Sequence, residues 1–124
     1  MSDTCTCEPT EILIFPCSGG SNVGQISNQA GVELTRAGVG KLYCLAGIGG
    51  HLDSFIESAK VAKRIVAIDG CQAGCAKKTL EHAGFNVTDY AIATELGIKK
   101  NHDFNLLPED INTVCSDIRR QLGR

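Results

Sequence analysis

The chain has 124 residues, with 14 acidic and 12 basic side chains and a formal charge of −2. That is the length of one domain, with no electrostatic footprint for nucleic acid or an anionic membrane surface. Four Phe, two Tyr and no Trp leave too few rings for a base-stacking surface, and no apolar run approaches the roughly 20 residues that span a bilayer.

Residues 1–10 are polar, carry Pro9 and include Cys5 and Cys7; they read as a flexible tail ahead of a single α/β domain over residues 11–124. The amino terminus has neither a basic region nor a hydrophobic stretch, so it does not read as a secretory signal and the protein is expected in the cytoplasm. Ile12–Phe15 is an unbroken apolar run, the mark of a strand buried on both faces. After Ser18-Gly19-Gly20-Ser21, Asn22 and Gln25 stand in a capping-box relation, and Val23, Ile26, Ala30, Leu34 and Ala37 follow at helical spacing. Leu42–Leu45 is the expected second strand, and Gly47, Gly49 and Gly50 read as a flexible loop. Leu52, Phe55, Ile56 and Ala59 mark a second helix.

Ile65–Ile68 is the third buried strand, followed by a helix carrying Ala73, Ala76, Leu80 and Ala83 that ends at Gly84. Phe85–Ile92 suits an edge strand, 96–103 a turn, and Pro108 opens a closing helix with Ile111, Val114, Ile118 and Leu122 on one face. Strand–helix alternation of this kind demands a mainly parallel sheet with helices on both faces, a three-layer Rossmann-like α/β domain. The expected strand order is 2-1-3-4, which places a ligand-binding crevice at the carboxyl ends of strands one and three.

Seven cysteines in a reducing compartment, an odd number, favour metal or thiol chemistry over a disulfide framework. Cys17 closes the first strand, Cys71 closes the third, Cys44 lies in the second, and Cys75 follows Cys71 by four residues. Under the 2-1-3-4 order these come from adjacent strand ends, and four thiolates are the soft donors that zinc takes in a tetrahedral site. The same donors would accept iron or an iron–sulfur cluster. Two helix N-termini close to Cys17 and Cys71 would stabilise the thiolates. A single isolated cysteine would read as a small buried hydrophobe, and Cys115, on the face of Ile111 and Ile118, is assigned to the core for that reason.

Asp69-Gly70-Cys71 with Cys75, together with Phe15-Pro16-Cys17-Ser18-Gly19 and Cys44-Leu45-Ala46-Gly47-Ile48-Gly49, resembles the DGC-domain family, a prokaryotic family for which zinc binding has been inferred. The resemblance runs from about Ile12 to Ile98. It implies a metal site whose four chelating cysteines map onto Cys17, Cys44, Cys71 and Cys75, and implies nothing about a reaction.

Several neighbours of the cysteines are secondary candidates. The amides of Ser18, Gly19, Gly20, Ser21 and Asn22 could hold a small anionic ligand, although their glycines also suit a tight turn. A thiol phosphatase is excluded because the sixth residue after Cys17 is Val23 rather than the Arg such enzymes need. No G-x-G-x-x-G opens a helix, which removes a dinucleotide site. Asp69 reads either as a group behind the metal ligands or as an acceptor for turn amides. His51 is a candidate fifth ligand or base, whereas His82 and His102 are expected away from the strand ends. Strand residues 12–17 span about 20 Å, and the chain from Cys7 to Glu11 reaches about 14 Å at most, so Cys5 and Cys7 are expected to lie outside the main site. Two functions follow: a metal-binding protein with a structural, sensing or delivery role, or a thiol- or metal-dependent enzyme or sulfur-handling protein binding a small anion. No protein partner is legible.

Overall fold

The computed structural model describes residues 8–124, so the reading of Cys5 and Cys7 lies outside the described residues. Strands β1 (Ile12–Pro16), β2 (Lys41–Leu42), β3 (Arg64–Asp69) and β4 (Asp89–Ile92) form one sheet in the order β2-β1-β3-β4, every pair parallel. This is the order expected from the alternation. All of β1 is buried, as is β3 from Ile65 onward, and successive side chains serve opposite faces. Ile12, Ile14, Val66 and Ile68 pack with Val23, Ile26, Ala30 and Leu34 of α1 (Asn22–Arg36) and Val114, Ile118 and Leu122 of α5 (Pro108–Leu122). Leu13, Phe15, Ile65 and Ala67 pack with Ile48 of α2 (Leu45–Gly49), Ala59 of α3 (Asp53–Ala59) and Ala76 and Leu80 of α4 (Cys75–His82). Each fully buried large side chain among them contributes roughly 1.5–3 kcal/mol. The layers are therefore α1 and α5, the sheet, and α2 to α4. None of the helices among the described residues is long and apolar enough to cross a membrane.

Residues 9–11 form a 3-10 turn in which Glu8 and Glu11 cap one another. Three local expectations are corrected. β2 ends at Leu42, which leaves Cys44 beyond the strand. The glycines after it do not make a loop: Leu45–Gly49 is helical, with Cys44 as its N-cap, its Sγ accepting from the Gly47 amide at 3.3 Å. Glycine's low helix propensity is overridden there by tertiary packing, since a Cβ on Gly47 would stand 2.5 Å from the Phe55 ring. Finally, the N-cap of α1 is Ser21, whose Oγ accepts from the Gly24 amide at 3.3 Å; Gln25 donates to the carbonyls of Ser18 and Gly19 instead of closing a box.

The edge strand β4 is shorter than expected, and α5 covers it. Gln121 accepts from the Tyr90 amide at 2.9 Å and donates to the Tyr90 carbonyl at 2.8 Å, so one side chain occupies the place of a neighbouring strand and blunts the edge.

Candidate functional site

The ends of β1 and β3 meet because the Cys17 amide donates to the Ile68 carbonyl at 2.7 Å, carrying the parallel ladder one residue past β1. Each residue of the Asp69-Gly70-Cys71 turn then has a separate task. Asp69, only 1% exposed, accepts from the Ala76 amide at 2.7 Å, the Lys77 amide at 3.1 Å and the Tyr90 hydroxyl at 2.7 Å. α4 starts from Gly74 in a left-handed conformation (φ 66°) with no side-chain cap of its own, so the carboxylate at the end of β3 satisfies its orphan amides and sits at its positive end. Asp69 thus accepts from backbone amides, those at the start of α4.

Gly70 lets α1 close onto the strand end. A Cβ there would lie 2.7 Å from the Gly24 nitrogen and 2.7 Å from the Val23 carbonyl carbon, distances that backbone atoms cannot relax cheaply. Gly24 is equally constrained, with a virtual Cβ 2.7 Å from the nitrogen and oxygen of Gly19. This close approach of two glycines brings the Cys17 turn and the Cys71 turn around a common space.

That space is a cavity of about 280 Å³ lined by Cys17, Cys71 and Cys75, with Asp69, Lys100 and His102. Cys17 and Cys71 are half-buried and Cys75 is exposed. The Cys17 Sγ accepts from the Gly19 amide at 3.3 Å. Its thiol is nevertheless raised above the ordinary range, chiefly by burial and further by the negative charges of Asp69 and Cys75. Lys100 donates to the Cys71 Sγ at 3.6 Å. Cys71 precedes α4 rather than sharing its face, since the helix begins at Cys75. Three of the four cysteines expected at the site thus line one cavity, while Cys44 lines another, of about 620 Å³, with Pro16, Ser18, Tyr43 and Leu45. Among the described residues no three His, Cys, Asp or Glu side chains stand close enough together to hold a metal ion as they are placed. The donor set around the smaller cavity, three thiols and an imidazole, is nonetheless the one that zinc and other thiophilic ions take.

The expectation that His102 lies away from the strand ends is corrected, and Lys100 was not foreseen at all. Both are carried by the segment after β4, and Asn22 pins that segment: its Nδ2 donates to the Lys99 carbonyl at 2.8 Å, its Oδ1 accepts from the Asn101 amide at 2.6 Å, and its own amide donates to the Asn101 carbonyl at 3.0 Å. Neither Lys100 nor His102 carries a periodic signature that would have placed it there. Asn22 and the Gly19 amide are therefore engaged within the protein, which leaves Ser18, Gly20 and Ser21 of the anion-binding candidates. Of these, Ser18 and Gly20 are exposed and Ser21 is buried. His51 is exposed and does not line the cysteine cavity; its ring meets that of His82 at 5.2 Å. Cys115 packs against the core as expected, its Sγ 3.6 Å from the Ala30 carbonyl.

The family model for the DGC domain matches residues 13–118. The chain is 31% identical over 110 residues to the Anaerobic and virulence modulator AnvM of Pseudomonas aeruginosa, the match covering 89% of this chain and 84% of that protein. No solved structure matches it. The matched segment runs from the middle of β1 into α5 and takes in the turn in which Asp69 caps, Gly70 admits α1 and Cys71 faces the cavity; the chain belongs to the DGC domain family.

Proposed function

We propose that this protein binds a thiophilic metal ion, zinc first, through the thiolates of Cys17, Cys71 and Cys75 at the carboxyl ends of β1 and β3. The observation that carries this reading is that three cysteines from two strand ends and one helix start line a single cavity. Cys44, the remaining cysteine of the family pattern, is the candidate that the sequence supplies for a fourth position. Asp69 acts behind the ligands: by capping α4 it sets Cys75 relative to β3. Zinc thiolates carry excess negative charge, and the Lys100 ammonium beside Cys71 offsets part of it.

The name of the Pseudomonas relative describes a modulator, which supports a sensing role over a purely structural one, in a reducing compartment where the thiols stay free. The test is the metal content of protein purified without oxygen or chelators, in the wild type and in Cys17→Ser, Cys71→Ser and Cys75→Ser. One equivalent in the wild type and clear loss in each variant is expected; a full equivalent retained in Cys71→Ser and Cys17→Ser would refute the site.

A second reading rests on Lys100. Its ammonium, 3.6 Å from the Cys71 Sγ, would stand beside a nucleophilic cysteine acting on a small anionic ligand held near Gly20 and Ser21. Fast, Lys100-dependent alkylation of Cys71 in a protein that holds no metal would favour that alternative.

A further inference from the structure

We propose that His102, and not Cys44, supplies the fourth ligand of the metal site, and that Asn22 is the residue that positions it. The proposal rests on the metal-binding reading of Cys17, Cys71 and Cys75.

Three observations carry it. First, His102 lines the same cavity as the three cysteines, and Cys44 lines a different one. Second, the segment bearing His102 is tied down from both sides. Asn22 holds the backbone of Lys99 and Asn101 through the bonds given above, across 77 and 79 residues of sequence. Beyond the histidine, the Asp103 amide donates to the Asn101 Oδ1 at 2.8 Å, closing an Asx turn over position 102. The backbone is thus fixed while the exposed imidazole can turn, and no hydrogen bond among the described residues holds the ring. Third, Cys44 already has a structural task as the N-cap of α2, and drawing its sulfur away would release that contact.

Charge favours the same choice. Zinc with four thiolates carries about −2, and with three thiolates and a neutral imidazole about −1. The site offers one nearby ammonium, Lys100, and the acidic Asp69 behind it, so the less negative set is the better matched. A metal bound by Cys17, Cys71, Cys75 and His102 would also join the segment after β4 to the ends of β1 and β3, so that loading and the position of residues 99–103 would be linked.

The test uses the full, reduced, metal-free chain titrated with Co(II) and then with Zn(II) against a chromophoric chelator. His102→Ala should weaken binding by at least about tenfold and alter the cobalt ligand-field bands while leaving the sulfur-to-cobalt charge-transfer intensity of three thiolates in place. His102→Cys should restore tight binding and add about one third to that intensity, as a fourth thiolate would. Cys44→Ser should match the wild type in both affinity and spectrum. Asn22→Ala should weaken binding with an unchanged set of ligand bands. Loss of about a quarter of the charge-transfer intensity in Cys44→Ser, with His102→Ala indistinguishable from the wild type, would overturn the proposal and return the fourth position to Cys44. Failure of the underlying reading is separate and would show as undiminished binding in Cys71→Ser.

Discussion

Replacing Asp69 tests the link between the Asp-Gly-Cys turn and the fold most directly. The carboxylate is buried and accepts three hydrogen bonds, from the Ala76 and Lys77 amides and the Tyr90 hydroxyl. Hydrogen bonds to a charged group contribute about 1.5–3 kcal/mol each. At the low end, three would give about 4–5 kcal/mol, but Lys77 and Tyr90 are only partly buried and recover water when the acceptor is removed. About 3 kcal/mol is therefore expected for Asp69→Ala, a fall in Tm of about 10 °C for a chain of this size. Asp69→Asn keeps one acceptor oxygen and turns an amide NH2 toward a donor, so it should lose about 2 kcal/mol. The assays are urea and thermal unfolding, with alkaline titration of tyrosine absorbance as an independent readout. Tyr90 is held above the ordinary tyrosine range, by burial first and by its bond to Asp69 second. Asp69→Asn should lower its titration point yet leave it above that of an exposed tyrosine, because the burial remains. Since the folded value is the raised one, the Tyr90 contribution is present below about pH 10 and is lost only as pH climbs through the folded value. Unfolding of Asp69→Ala within about 1 kcal/mol of the wild type, with Tyr90 titration unmoved, would refute the cap.

Other outcomes follow from the same geometry. Gly70→Ala should destabilise by about 2–3 kcal/mol, the scale of overpacking against backbone, read by chemical unfolding, whereas Gly20→Ala, with nothing within 4 Å of its virtual Cβ, should leave stability within about 0.5 kcal/mol. Cys115 is raised to about 11, by burial first, so at pH 8 it should alkylate more slowly than the exposed Cys44 and Cys75, as mass spectrometry of briefly labelled, metal-free protein would show. Metal should leave the site as pH falls from 7 toward about 5, because each cysteine ligand must be a thiolate and protons compete for it; the raised Cys17 thiol places that loss toward the upper part of the range. Stoichiometric metal at pH 4 would contradict thiolate ligation.

Much of this molecule is local information. The unbroken apolar runs of β1 and β3 can be buried only between two helical layers, the 3.6-residue spacing in α1 and α5 marks the faces that cover them, and Pro108 sets where α5 begins. The order β2-β1-β3-β4 is a common one for parallel strands joined by helices, and it brings Cys17 and Cys71 together at one edge of the sheet. The family resemblance could also be read from Asp69-Gly70-Cys71 with Cys75, together with the stretches around Cys17 and Cys44.

Tertiary structure decided what propensity and periodicity do not encode. Gly47 lies in a helix because the Phe55 ring fills the place of a side chain, and Cys44 consequently becomes a cap beyond a two-residue strand. Lys100 and His102 have no periodic signature, and their arrival over the cysteine cavity depends on Asn22, some eighty residues away in sequence. The strands and helices themselves are set by neighbours along the chain and are legible one element at a time. The composition of the cavity is set by which distant loop a single buried amide holds, and only the folded chain brings those two together.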